Sequence, residues 1–257
     1  MSALLSGKVV LVTGGASGIG RGICREMAKH GARIVIIADL HQEPREGGST
    51  SEELVTMEGG HAIFQRTDVS SRDEVERAVA LASEHGGLDV MVCNAGIVLR
   101  EDILTMSEDD YRKMLSVNLD GVFFSAQSAA RNMIKHDIEG SIITMSSIGG
   151  LRGAAPTAIY STTKGAIRLM TASLADAVGP NGIRVNAICP GIIDTALSTG
   201  SGPEFQAGIQ ARIAETPLRR SGSPAEIGKV AVWLASDLAS FVSGASIVVD
   251  GGFSAIV

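Results

Sequence analysis

The sequence has few aromatic residues, few cysteines and no long hydrophobic run. Phe, Trp and Tyr make up 4% of the 257 residues, and there are 3 cysteines and 5 histidines. The cysteines are scattered and the histidines lack metal-ligand spacing, so we expect reduced core thiols, no disulfide framework and no bound metal. The apolar run at residues 9–12 is too short for a membrane span or a signal sequence. We therefore expect a soluble, cytoplasmic protein that does not bind membranes.

The chain also lacks an excess of positive charge. It has 22 Lys and Arg against 28 Asp and Glu, a net charge of -6. Without a basic surface, nucleic-acid binding is not expected. Apolar residues make up 45% of the chain and charged residues 19%, which indicates a globular protein with a substantial core. With no internal repeat or low-complexity tract, we expect residues 1–257 to form a single domain.

Short β-branched runs alternate with helical patterns along the chain. The runs lie at residues 9–12, 34–37, 62–65, 90–93, 141–145, 185–188 and 246–249. This alternation predicts an α/β fold, a doubly wound parallel sheet of about seven strands with helices on both faces. In four places a hydroxyl residue precedes an acid by three positions, which marks a helix start: Thr50 with Glu53, Ser71 with Glu74, Ser107 with Asp110, and Ser223 with Glu226.

A glycine-rich turn follows the first run. Residues 13–20 read T-G-G-A-S-G-I-G and lead into a helical pattern. Gly14 permits a sharp turn, Gly18 permits close approach to a pyrophosphate, and Gly20 permits close packing of helix on strand. The helix start also offers unpaired N–H groups to an anion. Strand, turn and helix in this order predict a dinucleotide site, with an ordinary βα loop as the alternative.

Asp39 ends the second predicted strand, which reads from residue 33 to residue 38, and lies nineteen residues after Gly20. An acid at this place can bind the two hydroxyls of an adenosine ribose and repels a ribose phosphate. The sequence therefore favours NAD over NADP. Arg45, in the following loop, could turn toward a ribose phosphate, so NADP is the alternative cofactor.

Tyr160 and Lys164 stand four residues apart in a stretch with helical character. At that spacing their side chains share a helix face. An ammonium about 5 Å away, at an effective dielectric of about 20, would favour the ionised phenol by about 3 kcal/mol, or about two pKa units. We therefore expect Tyr160 to serve as an acid/base near neutral pH. Such a pair also occurs on ordinary solvated helices, so other motifs must support it.

The order of the motifs along the chain supplies that support. The turn T-G-x3-G-x-G is followed by Asn94-Ala95-Gly96, Asn118, Ser147, the Tyr160/Lys164 pair, and Pro190-Gly191 through Thr195. In this set and spacing, essentially the whole chain resembles the short-chain dehydrogenase/reductase family. The resemblance implies a Rossmann-like domain, a nicotinamide cofactor and a homotetramer.

The resemblance implies roles for four catalytic residues. Tyr160 is expected to exchange a proton with the substrate oxygen. Lys164 is expected to lower the pKa of Tyr160 and to hold the nicotinamide ribose. Ser147 is expected to hydrogen-bond the substrate oxygen, and Asn118 to support a water that leads from the lysine to solvent.

It also implies the residues that contact the cofactor. Asp68 and Val69 are expected at the adenine edge, with a helix cap as the alternative for Asp68, and Asn94 is expected to steady the central strand. The segment from Pro190 onward is expected to hold the nicotinamide carboxamide. The expected cofactor-binding residues are Gly14, Ser17, Gly18, Ile19, Gly20, Asp39, Asp68, Val69, Asn94, Ala95, Gly96, Tyr160, Lys164, Pro190, Gly191, Ile193 and Thr195.

The substrate pocket is expected to draw on residues 97–100, on residues 148–154 and on the chain from residue 192 onward. These residues are mostly small or aliphatic, which favours a small or polar substrate. Residues 192–217 are expected to form a substrate flap within the domain, with a plain surface connection as the alternative. Arg152 could contact a carboxylate or a sugar hydroxyl, or could simply be a solvated loop residue.

The sequence thus predicts an NAD-dependent oxidoreductase that interconverts a secondary alcohol and a ketone. The substrate is expected to be a sugar, a polyol or another small hydroxy compound. One alternative is a 3-oxoacyl thioester reductase. Carrier-dependent members of the family use two basic residues to receive the acyl carrier; Arg131 matches one, but Asp176 stands at the other. A second alternative is a non-catalytic NAD-binding sensor or scaffold, which would not need all four catalytic residues.

Overall fold

Seven parallel strands form the centre of the molecule, in a computed structural model that describes residues 3–196 and 202–256. Their order in the sheet is β3-β2-β1-β4-β5-β6-β7. The strands are β1 (Val9–Thr13), β2 (Ile34–Asp39), β3 (His61–Arg66), β4 (Val90–Cys93), β5 (Ser141–Met145), β6 (Arg184–Pro190) and β7 (Ser246–Val249). Each predicted run lies inside its strand, so the predicted fold class is confirmed. The order changes direction between β1 and β4, where such sheets open a ligand crevice.

Helices cover both faces of the sheet. They are α1 (Gly18–Lys29), α2 (Ser51–Met57), α3 (Arg72–Ser83), α4 (Glu108–Leu115), α5 (Gly121–Lys135), α6 (Ala158–Val178), α7 (Pro203–Glu215), α8 (Pro224–Ala235) and α9 (Phe253–Ile256). Within the described residues, none of these helices is long and apolar enough to cross a membrane.

Alternate residues of β1 divide the core into two apolar clusters. Val10 and Val12 pack with residues of α1 and α8 on one face, and Val9 and Leu11 pack with residues of α3, α5 and α6 on the other. Successive strand residues point to opposite faces, so a strand buried on both sides must be apolar throughout. All five residues of β1 are buried, and the four that pack into the two clusters are apolar, while Thr13 ends the strand.

The predicted helix starts and core thiols are also confirmed. At the start of α2 the Thr50 hydroxyl accepts the Glu53 N–H (3.2 Å) while the Glu53 carboxylate accepts the Thr50 N–H (2.9 Å). Before α3 and α4 the Ser71 and Ser107 hydroxyls accept the N–H groups of Glu74 and Asp110, and before α8 the Glu226 carboxylate accepts the Ser223 N–H. All three cysteines are buried and unpaired, and burial raises the thiol pKa of Cys24 and Cys93 above its ordinary value.

Two features of the fold were not predicted. Residues Ser116–Asp120 form a π-helical turn between α4 and α5, with Asn118 buried at its centre. The segment predicted as a substrate flap contains the helix α7, and Ile193 in it forms a parallel bridge with Gly222. Residues 197–201 of that segment lie outside the described residues.

Candidate active site

The glycine-rich turn connects the carboxyl end of β1 to α1 through a very close backbone approach. Gly14 has φ 63°, and a Cβ at Gly20 would lie 2.0 Å from the Gly14 carbonyl oxygen. Only glycine fits at position 20. The side-chain amide of Asn94 donates to the carbonyls of Thr13 (2.9 Å) and Gly14 (3.1 Å). Asn94 thus joins the turn to the end of β4.

Asp39 lies at the end of β2, next to the turn. Its Oδ2 accepts the Ala16 N–H at 3.0 Å and its Oδ1 accepts the Leu40 N–H at 2.7 Å. These contacts hold the carboxylate beside the backbone of the turn, where an acid can meet ribose hydroxyls. The structure therefore brings Asp39 and the glycine turn together as the sequence predicted.

The loop between β2 and α2 adds a second carboxylate that sequence reasoning missed. Glu46 Oε1 accepts the Gly18 N–H at 2.8 Å and lies 3.5 Å from Arg21 Nη1. The Arg45 backbone N–H donates to the Ser17 hydroxyl at 2.9 Å. Gly18 and Glu46 are 28 positions apart in the sequence, so no local sequence pattern predicts this contact.

These features fit a bound dinucleotide. The Glu46 carboxylate takes the place of an anionic group of the cofactor. It accepts a hydrogen bond from the Gly18 N–H at the start of α1, a donor that a bound anion can use instead. Thr195 Cγ2 lies 3.3 Å from the position that a Cβ would take at Gly18, so the segment after β6 closes over the turn. Gly191 anchors that segment by donating its N–H to the Val249 carbonyl at 3.0 Å.

Asp68 and Val69 follow β3 at the same edge of the sheet. Asp68 Oδ1 accepts both the N–H (2.9 Å) and the hydroxyl (2.6 Å) of Ser70. This carboxylate therefore closes the turn before α3, whose N-cap is Ser71, so Asp68 does not itself cap the helix. Val69 packs against α5, because a Cβ at Gly121 would lie 2.8 Å from its Cγ2.

Tyr160 and Lys164 share one face of α6, as predicted. The Lys164 Nζ lies 5.5 Å from the centroid of the Tyr160 ring and donates to the Met145 carbonyl at 2.7 Å. Lys164 is only 4% exposed, and burial lowers its pKa from 10.5 to about 8. A Cβ at Gly96 would lie 3.7 Å from Nζ, so the segment after β4 also passes close to the ammonium.

The electrostatics of Tyr160 differ from the sequence expectation. Burial raises the pKa of Tyr160 above 10, and a hydrogen bond with Ser147 and the charge of Arg100 lower it only in part. The expected net lowering by Lys164 is wrong for this structure. The reason is that the ammonium is directed at the Met145 carbonyl and that removal of the phenol from water disfavours its ionised form.

Ser147 and Asn118 are both placed beside this pair. The Ser147 hydroxyl accepts the Gly149 N–H at 3.0 Å, so its own proton is available to another acceptor. Asn118 is fully buried, and its amide makes two 2.8 Å hydrogen bonds with the backbone N–H and carbonyl of Ile97. It thereby fixes the segment after β4. Single π-helical turns often mark functional sites, but no sequence signal for this one was recognised.

The substrate side of the cleft contains a cation whose role was not predicted. The Arg100 Cζ lies 4.2 Å from the centroid of the Phe205 ring, in the first turn of α7. Its charge favours the ionised form of Tyr160. Arg152, the arginine singled out from the sequence, is exposed; its backbone N–H donates to the Ile148 carbonyl at 3.3 Å, and its side chain makes no hydrogen bond or ion pair with the described residues.

The fold and this cleft define a dinucleotide-binding α/β oxidoreductase, and comparison with known proteins specifies the class further. A family model described as Enoyl-(Acyl carrier protein) reductase matches residues 14–254. In Mycobacterium marinum, a short-chain type dehydrogenase/reductase of known structure is 35% identical, with a TM-score of 0.88 over 97% of this chain and 96% of that one. The chain belongs to the short-chain dehydrogenase/reductase family.

Three curated relatives indicate which reactions are catalysed by family members similar in sequence to this chain. An L-rhamnose 1-dehydrogenase (NAD(P)(+)) of Azotobacter vinelandii is 40% identical over 250 residues, with 97% of each chain covered. Glucose 1-dehydrogenase 2 of Bacillus subtilis is 35% identical, over 97% of this chain and 96% of its own. A 3-oxoacyl-(acyl-carrier-protein) reductase of Chlamydia pneumoniae is 36% identical, over 99% and 100%. The protein is accordingly an enzyme that acts on CH–OH groups, and the non-catalytic alternative is set aside.

Proposed function

We propose that this enzyme interconverts a small secondary alcohol of the sugar or polyol type and its ketone, with NAD as cofactor. The observation that carries the proposal is the contact of Tyr160 with Ser147 and Lys164, beside the segment that follows β4. The sugar dehydrogenases among its relatives support the substrate type.

The proposed mechanism divides the work between proton handling and positioning. A bound nicotinamide supplies the hydride acceptor. Tyr160 takes the hydroxyl proton of the alcohol, and Ser147 donates a hydrogen bond to the same oxygen, so that negative charge on that oxygen is stabilised as it develops. Lys164 would hold the ribose of the cofactor through its ammonium, and Asn118 holds the Ile97 backbone beside it. In ketone reduction, Tyr160 returns the proton.

The preference for NAD rests on the ribose end of the site. Asp39 and Glu46 both place carboxylates at the glycine turn, and a ribose 2′-phosphate would be repelled there. The rhamnose dehydrogenase relative is named for both cofactors, so this preference is a feature we propose for this chain's own residues. We also propose the other cofactor contacts that the family resemblance implies.

A 3-oxoacyl thioester reductase is the second candidate, supported by the Chlamydia pneumoniae relative. An acidic acyl carrier would need a basic docking surface. Arg131 on α5 and Asp176 on α6 are both exposed, so one of the two expected cations is replaced by an acid. This exchange favours a free small-molecule substrate.

We further propose that residues 1–257 act as one domain in a homotetramer, with residues 192–217 as its substrate flap. Large apolar side chains that remain exposed on the single chain support assembly: Leu169 is 73% exposed, Leu238 68% and Phe241 104%. Contact between Arg100 and Phe205 supports a flap that borders the cleft. Light scattering on the purified protein tests the assembly.

Reduced-nicotinamide absorbance tests the function directly. Purified enzyme is offered NAD or NADP with aldoses, polyols, hydroxy acids, simple secondary alcohols and 3-oxoacyl thioesters. We expect NAD-dependent oxidation of a sugar or polyol, and loss of turnover by at least about 1,000-fold in Tyr160→Phe with NADH binding almost unchanged. Substantial activity of Tyr160→Phe would contradict the assignment of Tyr160.

A further inference from the structure

Arg100 lies on the segment that leaves β4 and borders the catalytic cleft. Strands β4 and β5 are paired, with Cys93 opposite Thr144, so the segment after β4 runs beside the segment that carries Ser147. The mutual influence of the Arg100 and Tyr160 charges shows that the guanidinium is within electrostatic reach of the phenol. Arg100 is therefore positioned to contact a substrate whose hydroxyl meets Tyr160.

The Arg100 guanidinium is held by an aromatic ring and not by an acid. Its Cζ stands 4.2 Å from the centroid of Phe205. A guanidinium that stacks on a ring uses its face, so the N–H donors at its edge stay available. Among the described residues, Arg100 has no hydrogen-bond acceptor and no carboxylate within ion-pair distance.

A second cation lies near Arg100 and adds to the positive charge there. Arg212, in the last turn of α7, lies close enough to repel Arg100; burial and this repulsion lower the pKa of Arg100, while Tyr160 raises it. No carboxylate of the described residues pairs with Arg212 either. In a chain with a net charge of -6, two neighbouring arginines that pair with no carboxylate of the described residues, one of them close to Tyr160, favour an anionic ligand.

We propose that the substrate is an alcohol that carries a carboxylate, a sugar acid or small hydroxy acid, and that Arg100 binds this carboxylate. The planar guanidinium can pair with both oxygens of a carboxylate, which is stronger and more selective than a bond to a neutral hydroxyl. The proposal rests on the proposed function, because Tyr160 must meet the hydroxyl of the same molecule. In the reaction the hydroxyl proton passes to Tyr160 and the carbinol hydride to the nicotinamide, while the carboxylate is unchanged.

Pairs of substrates that differ only in charge test this proposal. We would compare gluconate with glucitol, rhamnonate with rhamnitol, and 3-hydroxybutyrate with 1,3-butanediol, using NAD and the absorbance of its reduced form. For the best pair we expect the acid to have a kcat/KM at least about tenfold above that of its neutral partner. In Arg100→Gln the loss of the charge that favours ionised Tyr160 should lower both values, and we expect the value for the acid to fall at least about tenfold further than that for its neutral partner.

Two further variants separate pairing geometry from charge. Arg100→Lys keeps the charge but loses the two-point contact, so we expect an intermediate loss with the acid. Arg77→Gln makes the same charge change on the exposed surface of α3 and should keep the full preference for the acid. An equal loss in Arg77→Gln would mean that net charge, not Arg100, is responsible.

The outcomes for the inference and for the proposed function can be told apart. Turnover of neutral alcohols without any preference for the acids would overturn the carboxylate proposal and leave the function intact. If no compound is oxidised, quenching of NADH fluorescence by the corresponding keto acids supplies the second measurement. Arg100-dependent binding of keto acids would support the proposal, and its absence would overturn it together with the substrate type proposed above.

Discussion

The two ends of the cleft are built in different ways. At the cofactor end, the glycine turn is fixed by backbone contacts, by the Asn94 amide and by the carboxylates of Asp39 and Glu46. At the substrate end, α7 touches the catalytic region through an arginine stacked on Phe205, and residues 148–154 are only partly buried or exposed. One end is held by many directional bonds, and the other by few.

This difference matches the tasks of the two ends. A family can keep one cofactor while it changes substrates, provided that the cofactor end is held by backbone geometry and the substrate end by exchangeable side chains. A change at a turn glycine should therefore affect every activity of the enzyme. A change on α7 should affect only the choice of substrate.

Matched glycine substitutions in two helices give the sharpest contrast. In Gly20→Ala, the new Cβ would meet the Gly14 carbonyl oxygen at 2.0 Å, so we expect a loss of about 3 kcal/mol or more in the free energy of unfolding. NADH affinity should fall by more than about 100-fold, because the turn must move. Urea denaturation and NADH fluorescence titration measure the two effects.

Gly208→Ala is the matched change in α7. Nothing lies within 4 Å of the position of its Cβ, and alanine favours the helix over glycine by about 1 kcal/mol. We expect unchanged NADH affinity and unchanged or slightly raised stability. Equal damage from both substitutions would show that α7 is as tightly constrained as the turn and would remove the contrast.

The cofactor end was largely predictable because its requirements are local in sequence. A strand, a turn with glycine at defined places and an acid at the end of the next strand are enough to locate Gly14, Gly20 and Asp39. Glu46 was missed because its contact with Gly18 depends on how a loop of variable path folds back. The π-helical turn around Asn118 was missed because it breaks the helical period that sequence patterns follow.

At the substrate end the sequence indicated the segments but not the side chain that acts. Arg152 was singled out by its distance along the chain from Ser147, yet Arg100 is the arginine that influences Tyr160. Which arginine approaches the phenol depends on tertiary packing against Phe205. The pKa of Tyr160 was predicted with the wrong sign for a related reason, since burial and the direction of the Lys164 side chain are not visible in helical spacing.

Lys164 connects the two ends, and its ionisation provides a test by pH. Burial lowers its pKa to about 8 in the folded protein, so the ammonium that we propose to hold the ribose is lost as the pH rises through this value. NADH affinity should fall by up to about tenfold between pH 7 and pH 9, following the protonated fraction of Lys164. Fluorescence titration of NADH at each pH measures this, and Lys164→Met should bind weakly with little pH dependence in that range.

The same ionisation has a stability consequence of opposite direction. The folded-state pKa, about 8, is below the unfolded value of 10.5, so the unfolded chain holds more protons between these values. The contribution of Lys164 to the free energy of unfolding therefore rises with pH from about 8 toward 10. It is measured as the difference in urea stability between the original protein and Lys164→Met. A difference that falls over this range would contradict the assigned direction of the pKa shift.

The smallest effect, and the finest test of the cofactor end, concerns Glu46. Replacing it by Gln removes a negative charge from the Gly18 N–H while a hydrogen-bond acceptor remains. A 2′-phosphate carries more negative charge than a ribose hydroxyl, so NADPH should gain more affinity than NADH. We expect the Kd for NADPH divided by the Kd for NADH to fall about fivefold, equivalent to about 1 kcal/mol. Fluorescence titration with both reduced cofactors gives the ratio without any substrate.

Glu43→Gln provides the matched control, because Glu43 is exposed in the same loop and makes no hydrogen bond or ion pair with the described residues. Its substitution should leave the ratio unchanged. An equal gain for NADH and NADPH in Glu46→Gln would mean that the carboxylate competes with the pyrophosphate common to both cofactors. In that case Asp39 alone would set the cofactor preference, and the second carboxylate would serve only to hold the loop on α1 until the cofactor binds.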